Sequence, residues 1–194
     1  MVAVLGAGRS SRYGAAKLDQ CCAGKALGAW AIDTALRWSG DAALVAREPA
    51  PRFAAGFGNR LRILVNEEAD AGLGTSVALA ARHTLACGAP ILLLTLADMP
   101  LVTGEVLDRL AALCPEGGAS ACLHDGGQPG IPAAWSAGRL SMLAAIPPEG
   151  GAKSLLRHVE PIRLIDTPAE ILCDVDVPDD LRAVEIALAA SGRR

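Results

Sequence analysis

The chain alternates short, continuous apolar runs with longer stretches in which apolar and polar residues recur at helical spacing. A short apolar run suits a strand that is buried on both faces, and the amphipathic stretches suit helices that cover a sheet. Their alternation predicts βα units and a mainly parallel sheet. The predicted strands are residues 2–5, 43–46, 62–65, 91–96, 120–123, 131–135, 162–165 and 173–175.

Helix boundary signals accompany two of the amphipathic stretches. Thr103 is a suitable N-cap for one helix, and Pro178 is a typical first-turn residue for the last one. The strongest loop signal, at residues 147–151, lies too near the end of the chain to separate two full domains. We therefore expect one α/β domain over residues 1–194. The predicted helices are residues 27–38, 76–86, 104–113, 137–145 and 179–189.

The composition narrows the class of partner. Hydrophobic residues make up 52% of the 194 residues and charged residues 20%, which excludes an intrinsically disordered chain. The net charge of -3 lacks the basic footprint of nucleic-acid binders, and aromatic residues, at 3%, are too few for a base-stacking platform. We therefore expect no nucleic-acid partner.

Membrane spans and zinc clusters are not indicated either. The longest stretch without a charged residue or histidine covers residues 84–97, where Gly88 and Pro90 interrupt it. It is shorter than the roughly 20 residues that a spanning helix needs, so we expect no membrane partner. Residues 1–6 lack the basic start and long apolar core of a signal peptide, which predicts a cytoplasmic protein. The six cysteines are scattered without a Cys-x-x-Cys spacing, which predicts reduced, packed thiols.

Ligands of an open parallel sheet bind beyond the carboxyl ends of its strands. Four segments follow predicted strands there, at residues 6–17, 66–76, 97–100 and 176–178. They carry glycines, cations and, at two of these strand ends, the carboxylates of Asp98 and Asp176. This combination predicts a site for a polyphosphate and a divalent metal.

The first of these segments has the composition of a phosphate-binding loop. Gly6 and Gly8 let backbone N–H groups approach phosphate oxygens, and Arg12 and Lys17 can neutralise them. Two other interpretations stay open, a plain strand-to-helix turn and a dinucleotide-binding fold in which Arg47 would face a ribose. The dinucleotide motif, however, needs a third glycine that this loop lacks. A Walker A loop is excluded because no Gly-Lys-Ser/Thr follows at the required spacing.

Two aspartates are candidate metal ligands. Asp98 directly follows a buried apolar run, and Asp176 follows the last predicted strand. Mg²⁺ prefers one or two carboxylates plus substrate phosphates, which this pair would supply. Asp174 shares the face of Asp176 by strand alternation. The alternative for Asp174 and Asp176 is capping of the helix that follows.

The order of these motifs resembles that of the MobA-like nucleotidyltransferases. The run Leu-Gly-Ala-Gly-Arg-Ser-Ser-Arg-Tyr-Gly-Ala-Ala-Lys at residues 5–17 is similar to that family's Leu-Ala-Ala-Gly-x-Ser-x-Arg-Met-Gly-x-x-Lys. The chain keeps the family's glycine at Gly130 but departs beside it, because the family usually carries a basic residue just before this glycine and His or Asn just after it, whereas Gln128-Pro129 and Ile131 stand here. Further matches lie, in the family's order, at residues 24–25, 72–76, 97–100, 130–132, 151–153 and 174–181.

The resemblance implies a Rossmann-like three-layer sandwich of the nucleotide-diphospho-sugar transferase type. It also implies transfer of a nucleoside monophosphate from a nucleoside triphosphate to a phosphorylated acceptor, with release of pyrophosphate. Ala7, before the last glycine of the first loop, is typical of the family's CTP:molybdopterin cytidylyltransferases, whereas the guanylyltransferases carry Gly there. The implied substrates are therefore CTP and a phosphorylated pterin, with a molybdoenzyme or its insertion chaperone as a candidate partner.

Three alternatives to this activity stay open. The first is a guanylyltransferase of the same fold, and the second is a nucleotidyltransferase that acts on a sugar phosphate. The third is a non-catalytic protein that binds the cofactor or helps to insert it into a molybdenum hydroxylase.

The resemblance further implies roles for individual residues. Lys17, Arg12 and Asp98 are the implied catalytic residues, and Asp98 with Asp176 is the implied Mg²⁺ site. The residues implied to bind the nucleotide are Leu5, Gly6, Ala7, Gly8, Lys17, Lys25, Gly72, Gly74, Thr75 and Ser76.

Overall fold

The computed structural model of the protein describes residues 1–8, 13, 16–39 and 41–192. Its strands are β1 (Val2–Leu5), β2 (Cys21–Cys22), β3 (Lys25–Ala26), β4 (Ala42–Ala46), β5 (Leu61–Val65), β6 (Ile91–Leu96), β7 (Ala119–His124), β8 (Gln128–Ser136) and β9 (Ile162–Asp166). Its α-helices are α1 (Leu27–Ser39), α2 (Leu73–Ala86), α3 (Gly104–Leu113), α4 (Leu140–Ala144), α5 (Ala152–Leu156) and α6 (Pro178–Ala190).

Among the described residues, seven strands form one sheet in the order β5-β4-β1-β6-β8-β7-β9. Neighbouring strands are parallel except at β8, which runs antiparallel to β6 and β7. The short connection between β7 and β8 explains this exception, because a tight turn can join only antiparallel strands. The carboxyl ends of the parallel strands therefore meet the start of β8 at one edge. This mostly parallel sheet with helices confirms the predicted fold class.

Both faces of the sheet are covered by apolar side chains. Ala3 and Leu5 of β1 belong to a cluster shared with α2 and α4, whereas Val2 and Val4 belong to a second cluster shared with α1 and α3. Successive strand residues point to opposite faces, so each residue of β1 is buried. The sheet is thus the middle of three layers, which explains why its strands are uninterrupted apolar runs.

A smaller apolar cluster holds the last helix close to the edge where the strands end. Trp30 of α1 packs there with Val184 of α6 and with Val175. The backbone N–H of Val175 also donates to the carbonyl oxygen of Asp98 at 3.0 Å. The segment before α6 is therefore fixed beside the end of β6.

The prediction of a strand at residues 173–175 is wrong. These residues lie between the short 3-10 helix Ala169–Leu172 and α6 and belong to no strand. Val175 is fully buried, but its burial comes from the contact between α1 and α6. A short apolar run does not reveal which kind of neighbour buries it, and the strand interpretation failed for that reason.

The other predicted elements are confirmed, with shifts at some boundaries. The helix predicted at residues 137–145 is divided into a 3-10 turn, Ala137–Arg139, and α4, and α2 begins at Leu73 instead of Ser76. The β2–β3 hairpin and α5 were not predicted, because elements of two and five residues are too short to show a period. In the described part of the chain, no helix combines the length and apolar character that a membrane crossing requires.

Candidate active site

The buried ammonium group of Lys17 lies at the centre of the candidate site. Lys17 is 6% exposed, and its Nζ donates to Asp98 Oδ2 at 2.6 Å and to the Val175 carbonyl oxygen at 2.6 Å. Asp176 Oδ1 lies 3.6 Å from the same Nζ. The fold therefore brings together Lys17, Asp98 and Asp176, which the sequence placed in three separate segments.

Long-range hydrogen bonds to the neighbouring Asp19 support the position of Lys17. Lys17 opens a short 3-10 helix, Lys17–Asp19. The Asp19 carboxylate accepts the backbone N–H groups of Arg52 and Phe53 at 3.0 and 2.8 Å. The helix is thereby attached to the segment that precedes β5, and Lys17 cannot move away from the sheet edge without breaking these bonds.

The start of α6 holds Asp176. Asp180 Oδ2 accepts the backbone N–H groups of Asp176 and Val177, both at 2.8 Å. A carboxylate in the first turn of a helix satisfies donors that have no partner within the helix. Asp180 therefore makes the capping contacts, and the side chain of Asp176 is left to face Lys17.

Negative charge outweighs positive charge around Lys17 within the described residues. Burial raises the pKa of the Asp174 carboxyl; a hydrogen bond with its own backbone opposes this, and the charges of Asp98 and Asp176 raise the pKa further. Three carboxylates thus interact with one ammonium group. Such a surplus of negative charge attracts a divalent cation and disfavours a bare triphosphate.

The donor set also fits a magnesium-like cation that arrives with phosphate. Mg²⁺ takes one or two protein carboxylates and completes its coordination with phosphate oxygens and water. Asp98 and Asp176, with side chains 22% and 45% exposed, offer that number of carboxylates. In the described ranges, no group of three or more His, Cys, Asp or Glu side chains is arranged to hold a metal by itself.

A cavity of about 310 Å³ opens beside these groups. It has apolar walls, with Lys17 and the carboxylates among its polar groups, so it suits a ligand with both an apolar and an anionic part. The described lining residues are Leu5, Gly6, Ala7, Gly8, Tyr13, Lys17, Leu18, Leu73, Leu96, Asp98 and Asp176.

The two glycines of the first loop serve different purposes. A Cβ on Gly6 would lie 2.9 Å from Leu44 Cδ1, so Gly6 is required by packing against β4. A Cβ on Gly8 would have no atom of the described residues within 4 Å, so Gly8 borders open space at the cavity. Among the described residues of this loop, Gly8 is therefore a position at which a ligand can approach the backbone.

Comparison with known proteins identifies the family. The family model of the MobA-like NTP transferase domain matches residues 2–163. The chain belongs to this family. It is thus a nucleotidyltransferase of the MobA-like type, as its ordered motifs predicted.

One curated relative is similar to part of this MobA-like chain. The purine catabolism protein PucB of Bacillus subtilis (strain 168) is 33% identical over 121 residues, which are 58% of this chain and 59% of PucB. The match thus spans less than two thirds of the length of PucB.

The solved structures show the same fold. A nucleotidyl transferase from Methanothermobacter thermautotrophicus superposes with a TM-score of 0.78, at 20% identity and 98% coverage of both chains. Rv0371C of Mycobacterium tuberculosis H37Rv, in complex with manganese, superposes with a TM-score of 0.70, at 24% identity and 96% and 97% coverage of this chain and that chain.

Residues 72–76 of the MobA-like chain are divided between the cavity and the interior. Leu73 lines the cavity and is 50% exposed. Thr75 and Ser76 are buried, and their hydroxyl oxygens accept hydrogen bonds from Asn66 Nδ2 at 2.9 and 2.8 Å. Thr75 Oγ1 also donates to the Gly72 carbonyl oxygen at 2.7 Å. The two hydroxyl groups thus stabilise the start of α2, and Leu73 is the member of this motif that faces the cavity.

Gly72 and Gly74 allow close packing of backbone on backbone. A Cβ on Gly72 would lie 2.2 Å from the Pro148 carbonyl oxygen, and one on Gly74 would lie 2.0 Å from the Pro147 carbonyl oxygen. Gly74 N–H donates to that Pro148 oxygen at 3.1 Å. The glycines of this motif therefore dock α2 onto residues 147–151, a contact that the sequence did not reveal.

Lys25 is placed apart from the cavity. Its ammonium group pairs with Asp33 and lies 3.7 Å from the centre of the Trp30 ring. Lys25 is not among the described lining residues. These contacts give Lys25 a role in fastening the β2–β3 hairpin to α1.

The β7–β8 hairpin explains why position 130 is a glycine. The ring of His124 in β7 lies over Gly130, where a Cβ would come within 2.5 Å of His124 Cδ2. His124 Nε2 lies 2.8 Å from the Ile131 carbonyl oxygen. A histidine from the paired strand thus occupies the space beside this glycine, and the strand register brings it there.

Two arginines complete the account of the sequence motifs. Arg12, an implied catalytic residue, lies outside the residues that the structure describes. Arg47 does not line the cavity within the described residues but contacts the first loop, with its Nε 2.9 Å from the Ala7 carbonyl oxygen. Its position directly after β4 was the signal that could have revealed this contact, because every parallel strand ends at this edge.

Proposed function

We propose that the protein is a Mg²⁺-dependent cytidylyltransferase that transfers CMP from CTP to the terminal phosphate of molybdopterin or the molybdenum cofactor, and releases pyrophosphate. The observation that carries this proposal is the buried Lys17 ammonium group beside Asp98 and Asp176. A cation, two carboxylates and a glycine loop at one cavity match what transfer of a nucleotidyl group requires.

The preference for CTP rests on the first loop. Ala7 stands where guanylyltransferases of the family carry Gly, and it lines the cavity while being 6% exposed. A methyl group at this wall narrows the cavity, which favours cytosine over the larger guanine. The description of PucB as a purine catabolism protein supports the same proposal. A purine hydroxylase that carries a molybdenum cofactor would be a suitable recipient of the product.

The reaction is an in-line displacement at phosphorus. An oxygen of the acceptor phosphate forms a bond to the α-phosphorus of CTP, and the bond from that phosphorus to the bridging oxygen of the β-phosphate breaks. The electron pair leaves with pyrophosphate, so no covalent enzyme intermediate is needed. The residues of the protein therefore act by positioning the reactants and by balancing their charge.

Lys17 is suited to balance the charge of the triphosphate. An ammonium group has three N–H donors, and Asp98 and the Val175 carbonyl accept two of them. Among the described residues, the third has only the longer 3.6 Å contact with Asp176 Oδ1, and we propose that it bonds a phosphate oxygen when the nucleotide is bound. Because its first two bonds fix the ammonium group before the nucleotide binds, little rearrangement is needed on binding.

Asp98 and Asp176 would hold Mg²⁺, which supplies neutralisation of phosphate charge and orientation of the phosphate oxygens when it is bound. A metal-bound structure within the same fold, the manganese complex of Rv0371C, supports a divalent metal. Without a cation, the two carboxylates would repel the triphosphate. We therefore propose that nucleotide binding depends on the divalent metal.

We also propose that residues 1–194 form one nucleotidyltransferase domain. The family model ends at residue 163, but Asp176 and α6 follow it. Val175 and α6 pack into the cluster with α1, and Val175 accepts a hydrogen bond from Lys17. The last segment thus belongs to the same packed unit as the glycine loop.

The test is a turnover assay with MgCl₂, each of CTP, GTP, ATP and UTP, and either molybdopterin or a sugar phosphate as acceptor, in which pyrophosphate release is measured; a separate titration measures molybdopterin binding. We expect release with CTP. Release with GTP would make the protein a guanylyltransferase, and release only with a sugar phosphate as acceptor would exclude the pterin. Binding of molybdopterin without any release would indicate a non-catalytic carrier and overturn the proposal.

The variant Asp98→Asn tests the metal assignment in the same assay. It should abolish Mg²⁺-dependent release and leave the cooperative unfolding transition in place. Asp179→Asn is the matched control, because Asp179 is a surface carboxylate of α6 with a side chain 88% exposed. Full activity of Asp98→Asn, or equal loss in both variants, would refute the assignment.

A further inference from the structure

Arg47 joins two walls of the cavity through one guanidinium group. Its Nε donates to the Ala7 carbonyl oxygen at 2.9 Å, and its Nη1 donates to Asp70 Oδ1 at 2.8 Å. Ala7 belongs to the first loop, on one side of the cavity. Asp70 lies just before Gly72 and α2, whose first residue, Leu73, lines the other side. Arg47 thus connects the glycine loop to the segment that presents Leu73.

The contact with Ala7 fixes the direction of the next peptide N–H group. In a trans peptide the carbonyl of one residue and the N–H of the following residue point in opposite directions. The Ala7 carbonyl points to Arg47, which is not among the described cavity-lining residues. The N–H of Gly8 therefore points away from Arg47, and Gly8 borders the open space of the cavity.

The shape of the guanidinium group makes this connection specific to arginine. The group is planar and holds its N–H donors in a fixed fork, so the two acceptors of Arg47 are held at a set separation. A lysine carries the same charge on a single nitrogen and cannot reproduce the fork. The bond from Arg47 to Ala7 is partly buried, whereas the bond to Asp70, whose side chain is 61% exposed, lies at the surface.

We propose that Arg47 is a positioning residue for the nucleotide. It sets the spacing between the glycine loop and the Leu73 wall, and it turns the Gly8 N–H towards the bound nucleotide. It does not touch the reacting groups in this arrangement and acts through Ala7 and Asp70. The inference rests on the proposed function, because it needs a nucleotide in the cavity, but it does not depend on which base is bound.

The experiment compares nucleotide binding and turnover in four variants. Calorimetric titration with CTP and MgCl₂ gives the Kd, and pyrophosphate release gives KM for CTP and kcat. We expect Arg47→Ala to raise the Kd and KM for CTP about tenfold while kcat changes little, because the reacting groups are untouched. Arg47→Lys should show most of this loss although it keeps the charge. Asp70→Asn should show a smaller loss, because the contact with Ala7 persists.

Arg62→Ala is the matched control. Arg62 is an exposed arginine of β5, one strand beyond β4, and the variant should behave as the wild type. Wild-type behaviour of Arg47→Lys would show that charge alone matters and would overturn the proposal, as would equal losses in Arg47→Ala and Arg62→Ala. A fall in kcat with an unchanged KM would also overturn it. If Arg47→Ala does not fold, Arg47→Lys and Asp70→Asn still decide the question.

The outcomes separate this inference from the proposed function. If the wild type binds GTP instead of CTP, the same variants are titrated with GTP, and the proposal about Arg47 is judged on that nucleotide. A wild type that binds no nucleoside triphosphate would refute the proposed function and this inference together. If the wild type binds a nucleotide and every Arg47 variant binds it equally well, the inference about Arg47 is refuted and the proposed function is not.

Discussion

Single residues connect parts of this chain that are far apart in sequence. Lys17 donates to Asp98, 81 positions away, and to Val175, 158 positions away. A buried ammonium group needs such acceptors, since an unpaired buried charge is costly. Because Lys17 holds the site together and faces the cavity, its contributions to folding and to binding have to be measured side by side.

Replacing Lys17 by Met keeps a long side chain and removes its charge. Asp98 and Asp176 then lose the Lys17 ammonium group that pairs with both, so we expect the free energy of unfolding to fall by about 1–3 kcal/mol. Urea unfolding at pH 7 measures this loss. Adding Asp98→Asn should recover part of the loss, because it removes one of the repelling charges. A double variant less stable than Lys17→Met would contradict the pairing.

The same variant tests the role of Lys17 towards the nucleotide. Lys17→Met should weaken CTP binding more than molybdopterin binding, because its third N–H faces the triphosphate in the proposed mechanism. Separate calorimetric titrations with the two compounds measure the difference. A larger loss of molybdopterin binding would show that Lys17 binds the acceptor and would contradict its assignment to the triphosphate.

Burial also sets the reactivity of the cysteines. Cys22 and Cys122 are fully buried, and burial raises the pKa of each thiol to about 11. The thiolate is the reactive form, so at pH 8 only about one thiol in a thousand is ionised at these positions. We expect iodoacetamide at pH 8 to label the exposed Cys21 and Cys87 and to spare Cys22 and Cys122. Fragmentation mass spectrometry resolves the sites, and labelling of Cys22 at the rate of Cys21 would contradict this.

At the scale of elements, the cavity depends on how α2 meets residues 147–151. The backbones approach so closely that Gly72 and Gly74 cannot carry a side chain. This contact leaves Leu73 half exposed at the cavity while its neighbours are packed. Residues 72–76, which the sequence predicts to bind the nucleotide, therefore also form the packing contact between α2 and residues 147–151, which we call the α2 joint.

The variant Gly74→Ala tests this joint. The new Cβ would lie 2.0 Å from the Pro147 carbonyl oxygen, so the loop must shift, and we expect a loss of about 1–3 kcal/mol in the free energy of unfolding. Gly104→Ala is the control, because a Cβ at this first residue of α3 would meet no atom within 4 Å in the part of the chain that the structure describes. There we expect no loss, or a gain of up to about 1 kcal/mol. Equal losses for Gly74→Ala and Gly104→Ala in urea unfolding would show that the close contact at Gly74 does not contribute to stability.

At the scale of the whole molecule, the site forms only when the sheet and the last helix are both in place. The glycine loop follows β1, Asp98 follows β6, and Asp176 is delivered by the packing of α6 against α1. Each contributes from a different region of the chain, and the two main apolar clusters hold the sheet between them. Ligand binding should therefore stabilise the molecule as one unit.

Thermal unfolding with CTP measures this coupling. A ligand at 100 times its Kd stabilises the fold by about 2.7 kcal/mol, which raises Tm measurably. We expect that shift with CTP and MgCl₂ together and little shift with CTP in EDTA, because the carboxylates around Lys17 outnumber its charge. An equal shift in EDTA would refute the metal dependence.

Much of the fold could be predicted because its strands are buried on both faces. Two-sided burial produces continuous apolar runs, and β1 and β6 were predicted with the bounds that the structure shows. The convergence of Lys17 and Asp98 followed from the rule that parallel strands end at one edge, whereas Asp176 reaches them through the packing of α6 against α1. The prediction of a strand at residues 173–175 was wrong, because helices bury Val175 and a local apolar pattern does not show which element buries a residue.

The amino-acid sequence by itself determined the α/β class, the glycine loop and Asp98 at the site, since these depend on local periodicity and on position after a strand. The packing of α6 against α1 brought Asp176 to Lys17. Tertiary structure alone decided the partner of each remaining side chain. It pairs Lys25 with Asp33, packs the His124 ring against Gly130 and lets Arg47 donate a hydrogen bond to the Ala7 carbonyl oxygen. Such contacts depend on strand order and register, which arise from the packing of the whole chain and leave no mark in the local pattern.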